Sequence, residues 1–175
     1  MKDIEDFSQY FTDDELTKIA PLVDRLHKLD SRHEKETNFL KFVRFVWPAF
    51  VEGSHHKIYA QKLQDVADGK IKRLIINMPP RHTKSEFASY LFPAWLMGRD
   101  ATKKIIQATH TAELAVGFGR KVKNLIDSEE FREVFPEVKL AADAKASGRW
   151  STSSGGEYYA VGVGGQHLRM VYFWT

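Results

Sequence analysis

Arg73 to Glu86 reads RLIINMPPRHTKSE, and the fold turns on how that stretch is understood. A short apolar run, Leu74 to Met78, meets Pro79-Pro80 and then a basic segment closing on Lys84-Ser85. A strand entering a tight turn that ends in Lys-Ser, with a helix behind it, is how chains cradle the phosphates of a nucleotide. Backbone N–H groups of the turn and the positive end of the helix meet the phosphate charge with no bulky side chain in the way. The usual pattern carries glycine at the positions held here by Met78 and Thr83. A β-branched residue resists positive φ, so the loop is expected to bend differently at Thr83. Pro79-Pro80 would pre-shape the turn that glycine normally allows. The competing reading is a basic surface loop that only joins a strand to a helix.

If the loop binds nucleotide, Pro79, Pro80, Arg81, His82, Thr83, Lys84, Ser85 and Glu86 surround it. The cofactors would be ATP and Mg²⁺. Lys84 would reach the β- and γ-phosphates, and the Ser85 hydroxyl would ligate Mg²⁺. Arg81 could add charge at the γ-phosphate from within the same chain, which makes Arg81 and Lys84 the candidate catalytic residues.

Working outward toward the N-terminus, Thr12-Asp13-Asp14-Glu15 has the form of a capping box. The helix it opens would run through Leu22, Leu26 and Leu29, with Pro21 as a blemish. Asp30 to Glu36 is polar and reads as a linker or helix end. Thr37 can cap a second helix with Phe39, Phe42, Val43 and Val46 on one face, stopped by Pro48. Gly53-Ser54 turns into a third helix, His55 to Asp68, with Tyr59, Leu63 and Val66 inward.

Beyond Gly69 the pattern becomes alternating strand and helix. Strands are expected at Lys72 to Met78, Lys103 to Thr109, Tyr158 to Val163 and Leu168 to Trp174. Helices are expected at Ser85 to Met97, on Phe87, Leu91 and Trp95, and at Thr111 to Asp127, on Leu114, Phe118, Val122 and Leu125. Gly155, Gly156, Gly162, Gly164 and Gly165 read as turns. This order predicts an α/β fold, a mostly parallel sheet flanked by helices. Residues 1–36 form a helical extension and 37–175 the sheet-bearing domain.

Composition sets the bounds. The 175 residues are 43% hydrophobic and 28% charged, enough for one real core. With no cysteine there is neither a disulfide framework nor a thiolate metal site. No apolar run approaches the roughly 20 residues of a membrane helix, and the acidic start MKDIEDFSQYF lacks the features of a secretion signal. A net charge of +3 permits a nucleic-acid partner without arguing for one. The histidines show no metal-ligand spacing, and His55 and His56 would point to different helix faces.

The string INMPPRHTKSEFASYLFPAWLMG resembles the Walker A segment of the large terminase subunits of tailed bacteriophages, where MPPRHGKS and MPPRHTKS loops occur. Thr83 is then a family variant. WPAFVEGSHHKIYAQKLQDVADGKIKRLIINMPP, KKIIQATHTAELAVGFGRKVKNLI and SGRWSTSSGGEYYAVGVGG resemble further segments in the same order, so that the likeness covers residues 37–165. It implies a P-loop NTPase of the additional-strand catalytic-glutamate type. Such a motor drives double-stranded DNA into a procapsid, working as a homo-oligomeric ring on the portal protein beside a small terminase subunit. Its setting is the cytoplasm of an infected bacterial host, with no membrane role. Arg81, Lys84 and Ser85 match the family's loop arginine, phosphate lysine and Mg²⁺ hydroxyl. His55 and His56 lie where related motors contact adenine, against a favoured capping or packing role. Gln107, Thr109 and His110 are site-lining candidates.

The resemblance also implies a Walker B aspartate and a catalytic glutamate after Gly165. Here QHLRMVYFWT follows, and no Asp or Glu occurs after Glu157. The expectation is a part cut off before Walker B, without the nuclease domain, that binds ATP weakly at most and hydrolyses it negligibly. Two alternatives stand beside it. One is a helicase-like ATPase of another family. The other is a non-catalytic module whose basic helix, Arg120 to Lys123, contacts DNA or a portal protein.

Overall fold

The computed structural model describes residues 12–142, 144, 146–163 and the backbone of 172–173. At its start the Glu15 carboxylate accepts from the Thr12 backbone N–H at 2.9 Å and from its hydroxyl at 2.8 Å, which opens helix α1 (Asp13–Thr37). The polar stretch after Leu29 is no linker. It continues α1, helped by the Arg32–Glu36 pair at 2.7 Å, one turn apart. The last turn is pinned to the body: Arg32 Nε donates to the Val134 carbonyl at 3.0 Å, and Lys35 reaches Glu133 at 3.1 Å. The indole N–H of buried Trp95 donates to the Lys35 carbonyl at 3.0 Å. That bond satisfies a helix-end carbonyl and a core donor together.

Asn38, rather than Thr37, caps α2 (Phe39–Val46), its side chain accepting from the Lys41 N–H at 3.0 Å. The Thr37 hydroxyl instead turns back on the His33 carbonyl at 2.7 Å. Phe39, Phe42 and Val43 of α2 are buried. α3 (Ser54–Ala67) buries His56, Tyr59, Ala60 and Leu63.

The helix behind the loop opens unusually. A π-helical turn over Glu86–Leu91 runs into α4 (Phe92–Arg99). Pro93 gives a physical cause, since it has no N–H and its ring would strike the carbonyl one α-turn back. The wider turn, in which the Phe92 N–H reaches the Phe87 carbonyl, relieves that clash. Phe87, Leu91, Phe92, Trp95 and Met97 are all 1% exposed or less. Phe39 stands edge-on to Phe87 at 5.6 Å and to Phe92 at 5.5 Å between ring centres, so α2 buttresses this helix directly.

The sheet is small and mixed, in the order β2-β3-β1-β4, from β1 (Lys104–Thr109), β2 (Arg149–Ser151), β3 (Glu157–Gly162) and β4 (Tyr172–Phe173). Only β1 and β3 pair in parallel; β2–β3 and β1–β4 are antiparallel. The architecture is therefore α/β, but the expected mostly parallel sheet is not what forms. The strand expected at Lys72 to Met78 has no ladder partner among the described residues. Its alternation is present, with Leu74, Ile76 and Met78 against the core and Ile75 88% exposed, yet alternation only orients side chains. A ladder also needs a neighbouring backbone.

α5 (Ala112–Ile126) packs across β1 and β3 and starts with the Thr111 side chain accepting from the Leu114 N–H at 3.2 Å. Its buried face is Ala115, Gly119, Val122, Leu125 and Ile126, so that Val122 and Leu125 face inward as expected while Leu114 is 38% exposed. Trp150 and Tyr158 stack on the inner face of the sheet, centres 4.9 Å apart and planes 4° from parallel. α6 (Glu129–Val134) had no counterpart in the expectations, whereas β2 and β3 are a pair of short strands, as the resemblance of SGRWSTSSGGEYYAVGVGG to a strand pair implies. Gly155, at φ +90°, does turn the chain between β2 and β3. Gly162 is not a turn but the end of β3, where a side chain would collide with the Ala112 backbone N–H at 2.3 Å. Gly164, Gly165 and most of Leu168 to Trp174 lie outside the described residues.

Candidate functional site

The loop between the extended segment and the buried helix carries the candidate site residues Pro79 to Glu86. Thr83 sits at φ +58° and Arg81 at φ +64°, the only non-glycine residues with positive φ among those described. The expectation that Thr83 forces another bend is therefore wrong. Threonine occupies the left-handed conformation that glycine would take, at a cost of about 1–2 kcal/mol.

A hydrogen-bond relay holds it there. The Gly53 backbone N–H donates to His56 Nδ1 at 2.8 Å, so that nitrogen is unprotonated and the neutral ring carries its proton on Nε2. His56 Nε2 then donates to Thr83 Oγ1 at 2.7 Å, and Thr83 Oγ1 donates to the His82 carbonyl at 2.7 Å. His56 is 5% exposed, lying near-parallel to Phe87 at 5.4 Å between ring centres. Burial, then the neighbouring His55 ring, holds its pKa below the ordinary histidine value, while Glu52 pulls the other way. The neutral form that the relay requires is thus the form the site favours.

The far side of the loop is tied as well. Tyr59 donates its hydroxyl to the Lys84 carbonyl at 2.9 Å and stacks on Phe87 at 5.3 Å. Burial pushes the Tyr59 phenol well up, so it remains a donor. The Phe87 N–H closes on the Thr83 carbonyl at 3.0 Å, the first turn of the helix.

His55, His56, His82 and Thr83 come together: the rings of His55 and His56 lie 3.8 Å apart, and His55 to His82 is 5.7 Å. The adjacent histidines differ in burial, as helix geometry requires, but their rings touch. His82 Nδ1 lies 2.9 Å from the Pro80 carbonyl, which tightens the turn after the two prolines. Among the described residues neither Arg81 nor Lys84 makes an ion pair, and the Ser85 hydroxyl makes no hydrogen bond. Nearby Lys72 and Arg73 are likewise without an acidic partner, whereas Glu86 is taken by Lys121 at 3.0 Å. Net positive charge therefore collects along residues 72–84.

Gln107, Thr109 and His110 are not joined to the loop by any hydrogen bond or ring contact among the described residues. Gln107 is fully buried under Tyr158, whose hydroxyl donates to its Oε1. Its Nε2 and His110 Nδ1 are buried without partners among the described residues. Two open depressions of about 320 and 310 Å³ lie elsewhere, one beside Arg32 and Phe135 and one on the sheet beside Ile106 and Tyr159. Among the described residues no group of three or more histidines and acids is placed to hold a metal, and no helix is long and apolar enough to cross a membrane.

The favoured capping or packing role holds for His56, which accepts from the Gly53 N–H at the start of α3 and packs on Phe87; what sequence reasoning missed is its bond to Thr83, 27 positions away. The only signal was that a threonine in a glycine position needs outside help. No protein-family model matches this chain, and no curated protein or solved structure matches it either.

Proposed function

We propose that this chain is the ATP-binding portion of a viral DNA-packaging motor, the large terminase subunit, built on a P-loop NTPase fold of the additional-strand catalytic-glutamate type. The observation that carries the reading is the loop itself. Two strained left-handed residues, Arg81 and Thr83, shape a loop before a buried helix, and neither Arg81 nor Lys84 has an acidic partner among the described residues, which supports the reading. Such strain persists where surrounding contacts over-determine it, and here His56 and Tyr59 do so.

In this reading Lys84 grips the β- and γ-phosphates, Arg81 neutralises charge at the γ-phosphate, and backbone N–H groups from Arg81 to Glu86 complete the cradle. The Ser85 hydroxyl would be the protein's ligand to Mg²⁺, whose remaining positions fall to phosphate and water oxygens. The bound nucleotide supplies the transferable phosphoryl group. The chain's own residues bind and orient it. Work on double-stranded DNA, a portal protein, a small terminase subunit and a ring of like subunits in an infected bacterial cytoplasm belong to the same proposal, and rest on the motif order of residues 37–165.

Isothermal titration of MgATP into the chain, with Lys84→Ala as control, tests it. Removing a charge-assisted contact is expected to weaken binding about tenfold or more. Equal binding by both proteins, or no binding by either, overturns the site.

A further inference from the structure

α1 carries an apolar face that stands exposed among the described residues. Leu22, Leu26 and Leu29 are 60%, 64% and 50% exposed. With Ile19 they follow the alternating three-and-four spacing of a helix-pairing seam, Ile19 and Leu26 at a positions, Leu22 and Leu29 at d. At 100° per residue this seam lies roughly a third of a turn around the helix from Arg32 and Lys35, the side chains that pin α1 to the body. Among the described residues Ile19 is half-buried and Leu22, Leu26 and Leu29 are left exposed.

The charges beside the seam say what covers it. Elsewhere along α1 they pair within the chain: Asp14 with Lys18, Asp24 with Lys28, Arg32 with Glu36. Arg25 and Asp30 make no ion pair or hydrogen bond among the described residues. On the seam's register Arg25 is a g position and Asp30 the following e position. Those are the two positions that face each other between parallel, in-register helices. We infer that α1 pairs in parallel with α1 of a second copy, Ile19, Leu22, Leu26 and Leu29 forming the seam and Arg25 meeting Asp30 of the partner subunit on both sides.

The reverse orientation sets g against g, bringing Arg25 among the cations Lys18, Arg25 and Arg32, which repel. Pro21 falls at a c position, away from the seam, so its missing N–H and its ring do not interrupt the contact. The inference does not depend on nucleotide binding.

Sedimentation equilibrium of the full chain tests it, supported by crosslinking that the absence of native cysteine makes clean. The wild-type chain is expected to dimerise, and Leu22→Glu with Leu26→Glu to leave monomer that keeps its helical circular dichroism. Arg25→Asp should weaken the dimer about tenfold, and adding Asp30→Arg should restore it. Under oxidation Leu29→Cys should crosslink to itself. A mixture of Ile19→Cys and Leu29→Cys should give no mixed product, since those sites stand about 15 Å apart in a parallel pair. A monomeric wild type, a mixed 19–29 crosslink, or failure of the charge swap to restore the dimer overturns the inference.

Discussion

Substituting Thr83 separates the two forces that set the loop. Its left-handed backbone costs about 1–2 kcal/mol for a β-branched residue. Against that stand the bond from His56 Nε2 and the bond to the His82 carbonyl, each 2.7 Å long. Thr83→Val keeps the shape and the strain, removes both bonds, and strands the buried His56 donor. An unsatisfied buried donor alone costs about 1–3 kcal/mol, so Thr83→Val is expected to destabilise by about 2 kcal/mol. Thr83→Gly loses the same bonds but also releases the strain, so the two effects offset and the change should stay within about 1 kcal/mol. In a His56→Phe background the donor at position 56 is already gone, and the Gly53 N–H that it accepted from is unpaired with either residue at position 83. Phenylalanine suits the ring contacts with Phe50 and Phe87, and there Thr83→Gly should stabilise by about 1 kcal/mol. The assay is urea unfolding followed by tryptophan fluorescence, analysed as a double-mutant cycle. Equal stability of the valine and glycine variants, or no coupling between positions 56 and 83, would refute the relay.

The depressed pKa of His56 adds a pH dependence. The folded state favours the neutral ring, so the unfolded chain binds more protons in the acid range. This contribution is whole above the ordinary histidine value of 6.5 and is lost as pH falls below it, so the urea midpoint should drop from pH 7.5 to pH 5 by more in wild type than in His56→Phe. Asn38→Ala removes the cap of α2 and should cost about 1 kcal/mol in the same unfolding assay, while Thr37→Ala costs less. Gly162→Ala drives a methyl into the Ala112 backbone and should destabilise by more than about 1 kcal/mol, whereas Gly117→Ala, with open space around it, should stabilise α5 slightly; thermal melts distinguish them.

Sequence periodicity located the helices well, because each buries a face that repeats with the helical turn. Phe39, Phe42 and Val43, or Phe87, Leu91 and Trp95, could be read as inward from spacing alone and are buried. It overshot at Lys72 to Met78, where an alternating pattern marks sidedness but is silent about a partner strand. Periodicity was silent at β2, whose three residues are too few to show one, and there the resemblance of SGRWSTSSGGEYYAVGVGG to a strand pair was the pointer. On α5 Val122 and Leu125 were read correctly, while buried Gly119, with no apolar side chain to count, gave no signal that a Cβ there would meet the Ser147 carbonyl and the Tyr158 ring.

At the loop the residue types were legible and the conformation was not. The identity and order of Arg81, Lys84 and Ser85 are what the proposed phosphate site is read from. Whether Thr83 can adopt a glycine-like backbone depends on a histidine on another helix, and no local rule contains that contact. Pro93, inside the helix expected at Ser85 to Met97, gives a physical reason for the π turn with which that helix begins.

The gripping of a triphosphate tail is the claim on which the functional reading rests, and competition against a fluorescent ATP analogue tests it most directly. Inorganic triphosphate with Mg²⁺ should displace the analogue and adenosine should not, with Lys84→Ala blunting the displacement. Displacement by adenosine but not by triphosphate would contradict the account.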